Sequence, residues 1–186
     1  MKSTRRSAIV AALALASLPA FLAPAAHAAS AAQLTADGKR ALDNLYAVEP
    51  RARVFARHAR AILVFPHIIT GAFVFGGETG NGVLLQRGRP TGFYNISAAS
   101  WGLQAGGKQF SYALFLMNDR ALGYLHQSGG WAIGAGANIV VVDQAAAAAA
   151  NSTTLSQDVY AFPFAQKGLM AGIDIHGSKI TQYHPS

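Results

Sequence analysis

The sequence predicts an α+β domain in which two N-terminal helices pack on a twisted, mostly antiparallel, barrel-like β-sheet, with one short additional helix. Three observations point there. Residues 34–60 carry apolar side chains at helical spacing, and from residue 61 the chain changes to short runs rich in Val, Ile, Phe and Tyr divided by glycine pairs. One Asn-led segment near residue 118 interrupts those runs with a helical pattern.

A leader precedes the domain. Lys2, Arg5 and Arg6 stand before an Ala/Leu-rich run over residues 8–22 and the A-x-A pattern Ala26-His27-Ala28, which reads as a secretory signal peptide over 1–28, with 29–186 as a single domain. Pro19 and Pro24 break the run, so it does not read as a membrane span. Arg5-Arg6 partly fits a twin-arginine signal, so either export route is open. Cysteine is absent, which excludes disulfides and a cysteine-linked lipid anchor. The expected location is the periplasm or the outside of the cell, with peripheral attachment to a membrane.

In the first helix, Leu34, Ala41, Leu42, Leu45 and Val48 share one face, and Thr35 or Asp37 is placed to cap its start. Pro50 suits the first turn of a second helix ending near Arg60. Strands are expected over 62–65, 71–75, 83–87, 93–97 and 110–117. Asn118 caps a short helix over 119–126, in which Ala121, Leu122 and Leu125 share a face. Further strands are expected over 131–142, 159–164, 169–175 and 179–183. The alanine run 145–150 fits a loop, a strand edge or a short helix.

Charge is concentrated in one place. Beyond residue 28 the chain holds twelve Lys and Arg against eight Asp and Glu, a net charge of +4. Residues 39–60 alone hold six bases against Asp43 and Glu49, and elsewhere the signs balance. Arg53, Arg57 and Arg60 step by four and three, with Arg51 at the helix start, so this segment presents a basic face to an anionic surface. Leu45, Tyr46 and Phe55 are candidates to insert beside it, unless the core claims them.

Motifs for chemistry are weak. Gly102 to Lys108 follows most of a phosphate-binding loop, but Gln109 replaces the required Ser or Thr and a strand pattern follows. Gly76, Gly77, Gly80 and Gly82 precede no helix, which excludes a dinucleotide fingerprint and marks them as hairpin or bulge residues. The histidines stand singly, and no serine sits in G-x-S-x-G, so neither a metal site nor a nucleophile is expected. Asp174 and His176 share a strand face and read as a surface pair. No cofactor and no catalytic residue is assigned, and the basic segment lacks the aromatics and motifs of a nucleic-acid reader.

Leu45-Tyr46, Pro50, the run Ala61-Ile-Leu-Val-Phe-Pro66, Gly71-Ala-Phe-Val-Phe-Gly-Gly77, Gly80-x-Gly82, Met117-Asn118 and Gly168-Leu-Met-Ala-Gly172 follow one another in an order that resembles the SYLF domain family over about residues 33–184. The resemblance implies a lipid-binding module. Eukaryotic relatives bind phosphoinositides partly through an amphipathic N-terminal helix, and the fungal branch also binds actin. By position it places the headgroup contacts at Arg51, Arg53, Arg57 and Arg60. Thr70 stands where many relatives have Lys, Asp174 where Ser is frequent and His176 where Glu is frequent, which argues against carrying over a phosphoinositide preference. The expected function is non-enzymatic recognition of anionic phospholipid in a bacterial cell envelope. A protein-interaction or envelope-structural module with a protein partner is the alternative, motivated by the absence of Lys and Arg between Arg120 and Lys167.

Overall fold

The computed structural model describes residues 30–71, 76–100, 108–143, 146–147, 155–165, 168–170 and 177–186. Helix α1 (Ala31–Val48) begins at Ser30, whose hydroxyl accepts from the Gln33 amide at 3.2 Å. The start therefore lies earlier than Thr35 or Asp37. Ser30-Ala-Ala-Gln33 is a Ser-x-x-Gln capping sequence, while Thr35 Oγ1 donates back to the Ala31 carbonyl and Asp37 pairs with Gln33 and Arg40 inside the helix. The buried stripe is Leu34, Gly38, Leu42 and Leu45. Gly38 belongs to it because a Cβ there would collide with Val83 Cγ1, so the helix lies directly on the sheet.

Glu49 ends α1, and the chain turns at once into helix α2 (Ala52–His58). No side chain caps α2. The Ala52, Arg53 and Val54 amides bond the carbonyls of Glu49, Pro50 and Arg51 in tight turns instead. Ala52 and Phe55 are buried. Phe55 sets its ring edge-on to Tyr160 and Phe162, each at 4.9 Å between centroids, and tilted against Phe115 at 6.1 Å.

The strands are β1 (Ala61–Gly71), β2 (Gly76–Gln86), β3 (Arg89–Ser100), β4 (Lys108–Leu116), β5 (Trp131–Ala132), β6 (Ile139–Val141), β7 (Val159–Ala165), β8 (Gly168–Leu169) and β9 (Lys179–Gln182). Among the described residues they form one strongly curled half-barrel in the order β5-β9-β3-β2-β1-β4-β7-β6, with β8 also on β7. Every pairing is antiparallel except β6 with β7. The expected α+β class and mostly antiparallel sheet are thus present.

Alternation along the strands divides the core in two. Leu63, Phe65, Leu84, Ile96, Tyr112 and Leu114 face one way and are covered by Trp131 and by helix α3 (Asp119–Tyr124) with Leu125. Val64, Val83, Leu85, Ala113, Phe115, Tyr160 and Phe162 face the other way, under α1 and α2. Sheet residues are buried on both faces, which explains the near-continuous apolar runs of β1, β4 and β7.

Several expectations change. Gly80 and Gly82 lie inside β2 rather than in a hairpin or bulge: a Cβ on Gly80 would come within 2.6 Å of the His67 carbonyl oxygen, and one on Gly82 within 2.7 Å of that of Val64. Gly76 and Gly77 are also in that strand, paired with Ser100 and Ala99. The irregularity falls on β1, where the register shifts around Pro66-His67 and the Pro66 carbonyl accepts from Ser111 Oγ. The expected strand over 131–142 is split into β5 and β6, because Gly134 and Gly136 take φ of 97° and 84°. The short helix is capped by Asn118 as expected. Of the alanine run, Ala146 and Ala147 are helical, and the Ala146 amide bonds Asp143 Oδ1. The remainder of that run, residues 72–75 and residues 171–176 with Asp174 and His176 lie outside the described residues, as does the leader 1–28.

Removing the Phe55 ring should leave α2 without its anchor. Phe55→Ala is expected to lower unfolding stability by about 3–5 kcal/mol, read from the urea midpoint at unchanged slope. A loss below about 1 kcal/mol would show that the helix is held by other contacts.

Candidate functional site

Arg53 and Arg57 lie one turn apart on α2, and Arg51 stands at its N-cap. All three residues are exposed, as is Arg60 just beyond the helix. Their surroundings differ. Arg53 Nη1 donates to the Tyr46 carbonyl at 2.7 Å, and its guanidinium carbon sits 4.8 Å from the centroid of the Tyr46 ring. A cation there meets the negative end of the α1 dipole and the face of an aromatic ring. Arg53 therefore ties α2 to the last turn of α1. Burial pushes the Tyr46 phenol up to about 12, partly offset by Arg53, so it remains a neutral ring under the cation.

Arg60 reaches Asp119 at 3.6 Å, with both side chains largely in solvent. Such a pair contributes little, about 0–1 kcal/mol. The Arg51 amide bonds Glu49 Oε1 at 3.1 Å. Arg57 makes no ion pair among the described residues. Arg53 and Arg57 thus share α2, whereas Arg60 lies beyond the helix end and turns to Asp119 instead of continuing the expected helical stripe, and Arg53 has a structural contact that spacing alone did not reveal. Leu45 and Phe55 are fully buried and cannot insert into a membrane, which corrects that expectation. Tyr46 is half-buried beneath Arg53.

A cleft of about 1040 Å³ opens elsewhere, against the first half of α1. Its walls include Ala31, Lys39, Phe93, Tyr94, His126 and His184, and none of the four arginines. No motif marked it in the sequence, because its residues come from α1, the start of β3, the end of α3 and the C-terminal tail.

Among the described residues the buried charge is Asp158, 4% exposed. Its carboxylate accepts from Arg120 Nη2 at 2.7 and 2.6 Å, from Asn118 Nδ2 at 2.7 Å and from the Asn138 amide at 3.1 Å. The Arg120 bonds first, then Asn118 and Asn138, hold this carboxyl down at about 2. A carboxylate so fully engaged is a clamp between β7, α3 and the approach to β6, not a group poised to exchange protons. Sequence reasoning identified Asn118 as a cap but not its second bond, since the partner lies forty residues away. Among the described residues, no group of three His, Asp or Glu side chains comes together and no helix is long and apolar enough to cross a membrane.

Residues 97–185 match a family model described as Ysc84, Las17-binding protein actin regulator. The match starts inside β3 and includes β4 to β9, the Asp158 clamp and the C-terminal side of the cleft; α1, α2 and the arginines precede it. No curated protein matches the chain.

The clamp sets an acid dependence. Unfolded, the Asp158 carboxyl takes up its proton near its ordinary value of 3.8; folded, it stays charged down to about 2. Acid therefore favours the unfolded chain, and the contribution of Asp158, complete above about pH 4, is lost as pH falls towards 2. Asp158→Asn should cost about 2–3 kcal/mol at neutral pH. In urea titrations the gap between the two proteins should close between about pH 4 and 2; a gap of constant size over that range would refute the assignment.

Proposed function

Since the chain belongs, through residues 97–185, to the Ysc84 (SYLF) family, we propose that it is a non-enzymatic lipid-binding protein of the cell envelope that recognises anionic phospholipid through Arg51, Arg53, Arg57 and Arg60. The observation that carries this reading is the exposure of all four on and beside a short helix whose apolar residues are turned into the core. In this reading residues 1–28 direct export and are removed, so that the domain works in the periplasm or outside the cell.

The binding would be electrostatic recruitment. Each Lys or Arg near an anionic membrane contributes about 1 kcal/mol. With Leu45 and Phe55 inside the core and Tyr46 half-buried beneath Arg53, no large apolar group among the described residues accompanies the arginines to give lasting insertion. Binding should accordingly weaken at high salt. Arg57 is the informative position, because its substitution removes charge without breaking an ion pair among the described residues.

A second reading rests on the family description, which names binding to the protein Las17 and actin regulation. A protein partner in the envelope, engaged by the matched segment, is that alternative. Crosslinking in cells that captures a defined protein through residues 97–185, independent of lipid, would favour it.

Vesicle flotation separates the two. The mature domain should float with vesicles rich in anionic phospholipid and not with neutral ones, and Arg51→Glu with Arg57→Glu should weaken its affinity for them by at least about thirtyfold at low salt, since two lost arginines remove about 2 kcal/mol before the added repulsion. Equal flotation with both vesicle types, or no effect of the double variant, would sink the lipid reading. Mass spectrometry of the exported protein should find Ala29 at the mature N-terminus, and retention of residues 1–28 would refute the export reading.

A further inference from the structure

The cleft beside α1 has no role in the arginine reading. Five of its lining residues, Ala31, Ala32, Thr35, Ala36 and Lys39, follow one another along α1 at steps of one, three, one and three. That is one helix face extending about 12 Å. The opposite wall is the start of β3, Pro90 to Tyr94, an extended stretch of similar length. β2 pairs with this stretch on one side, but on the other the pairing with β9 begins only at Tyr94 and the tail crosses at Tyr183, whose amide bonds the Phe93 carbonyl at 2.9 Å, so among the described residues no strand covers that edge from Pro90 to Gly92. The result is an elongated trough with aromatic and proline walls, of the size that holds small ligands.

Its charge is one-sided. Among the described residues no acidic side chain lines it. Lys39 is exposed and has no ion pair among the described residues, and His126 and His184 add ring nitrogens. We propose that this trough binds a single-chain fatty carboxylate, with the alkyl chain lying between α1 and β3 and the carboxylate paired to Lys39 and hydrogen-bonded by His126 or His184. A long trough with apolar walls suits a linear chain, and one permanent cation suits a monoanionic head. A dianionic phosphate head would meet too little positive charge, because no arginine lines the trough. This site is separate from the arginine face, and neither depends on the other.

Titration calorimetry of the mature domain with dodecanoate, below the concentration at which it aggregates and without vesicles, reads this site alone. Saturable binding at one ligand per protein is expected, with dodecanol binding at least about tenfold more weakly for want of the head charge. Lys39→Glu should weaken dodecanoate by about tenfold or more, Lys39→Arg should retain it, and Ala36→Trp should abolish it by filling the trough. Lys39 and Ala36 are both exposed, so unchanged thermal unfolding is the check that each variant still folds. Absence of saturable binding would overturn the proposal. So would equal affinity for dodecanol, tighter binding of dodecyl phosphate than of dodecanoate, or indifference to both Lys39→Glu and Ala36→Trp.

Discussion

The burial of Phe55 against Tyr160, Phe162 and Phe115 is the contact on which the arrangement of this surface depends. Helix α2 is seven residues long and lacks a side-chain cap. Helices so short do not persist in water by themselves, because nucleation costs more than two turns of hydrogen bonds return. Its shape is imposed by the aromatic cluster beneath it. The positions of Arg51, Arg53 and Arg57 are therefore decided by side chains of β4 and β7, far away in sequence, and by the bond from Arg53 to the end of α1.

Strand β7 is the second element on which several others converge. Tyr160 and Phe162 face the helices, Val159 and Ala161 face the opposite core, and Asp158 at its entrance gathers Arg120, Asn118 and Asn138. The same short stretch holds α2 on one side and α3 on the other. The hydrogen bonds outweigh the desolvation of the carboxylate, which is why it stays charged to lower pH in the folded chain than in the unfolded one. Arg120 remains largely in solvent, which keeps the desolvation cost down.

Much of this was legible in the sequence where the signal is periodic. The stripe of Leu34, Leu42 and Leu45, the Asn118 cap and the apolar runs of β1, β4 and β7 are local patterns with one physical reading. The Ser30-to-Gln33 cap is equally local, but Thr35 and Asp37 offer the same kind of capping side chain a turn later, and sequence alone does not rank them. Gly80 and Gly82 were misread because a glycine required by the close approach of a neighbouring strand looks, in sequence, like a glycine required by a turn. The break between β5 and β6 came from left-handed glycines that the apolar run concealed. At the candidate site the exposure of the arginines could be anticipated. The engagement of Arg53 with Tyr46, the pairing of Arg60 with Asp119 and the whole of the α1 cleft could not, because each depends on contacts between distant segments.

The two cationic features share α1. The cleft lies along its first half, and Arg53 is bonded to its last turn, so a displacement of this helix would be the direct way for one region to influence the other. The packing leaves little room for that. Gly38 brings the helix backbone against Val83, and Leu34, Leu42 and Leu45 are buried on either side of that contact. A close-packed interface of this kind changes between discrete arrangements or does not move, and any slide of α1 would drive Val83 into a helix backbone with no Cβ left to give up. The trough, along α1, and the arginines, on and beside α2, are consequently held apart by this packing and by the bond from Arg53 to the Tyr46 carbonyl, and a change at one has no mobile element through which to reach the other.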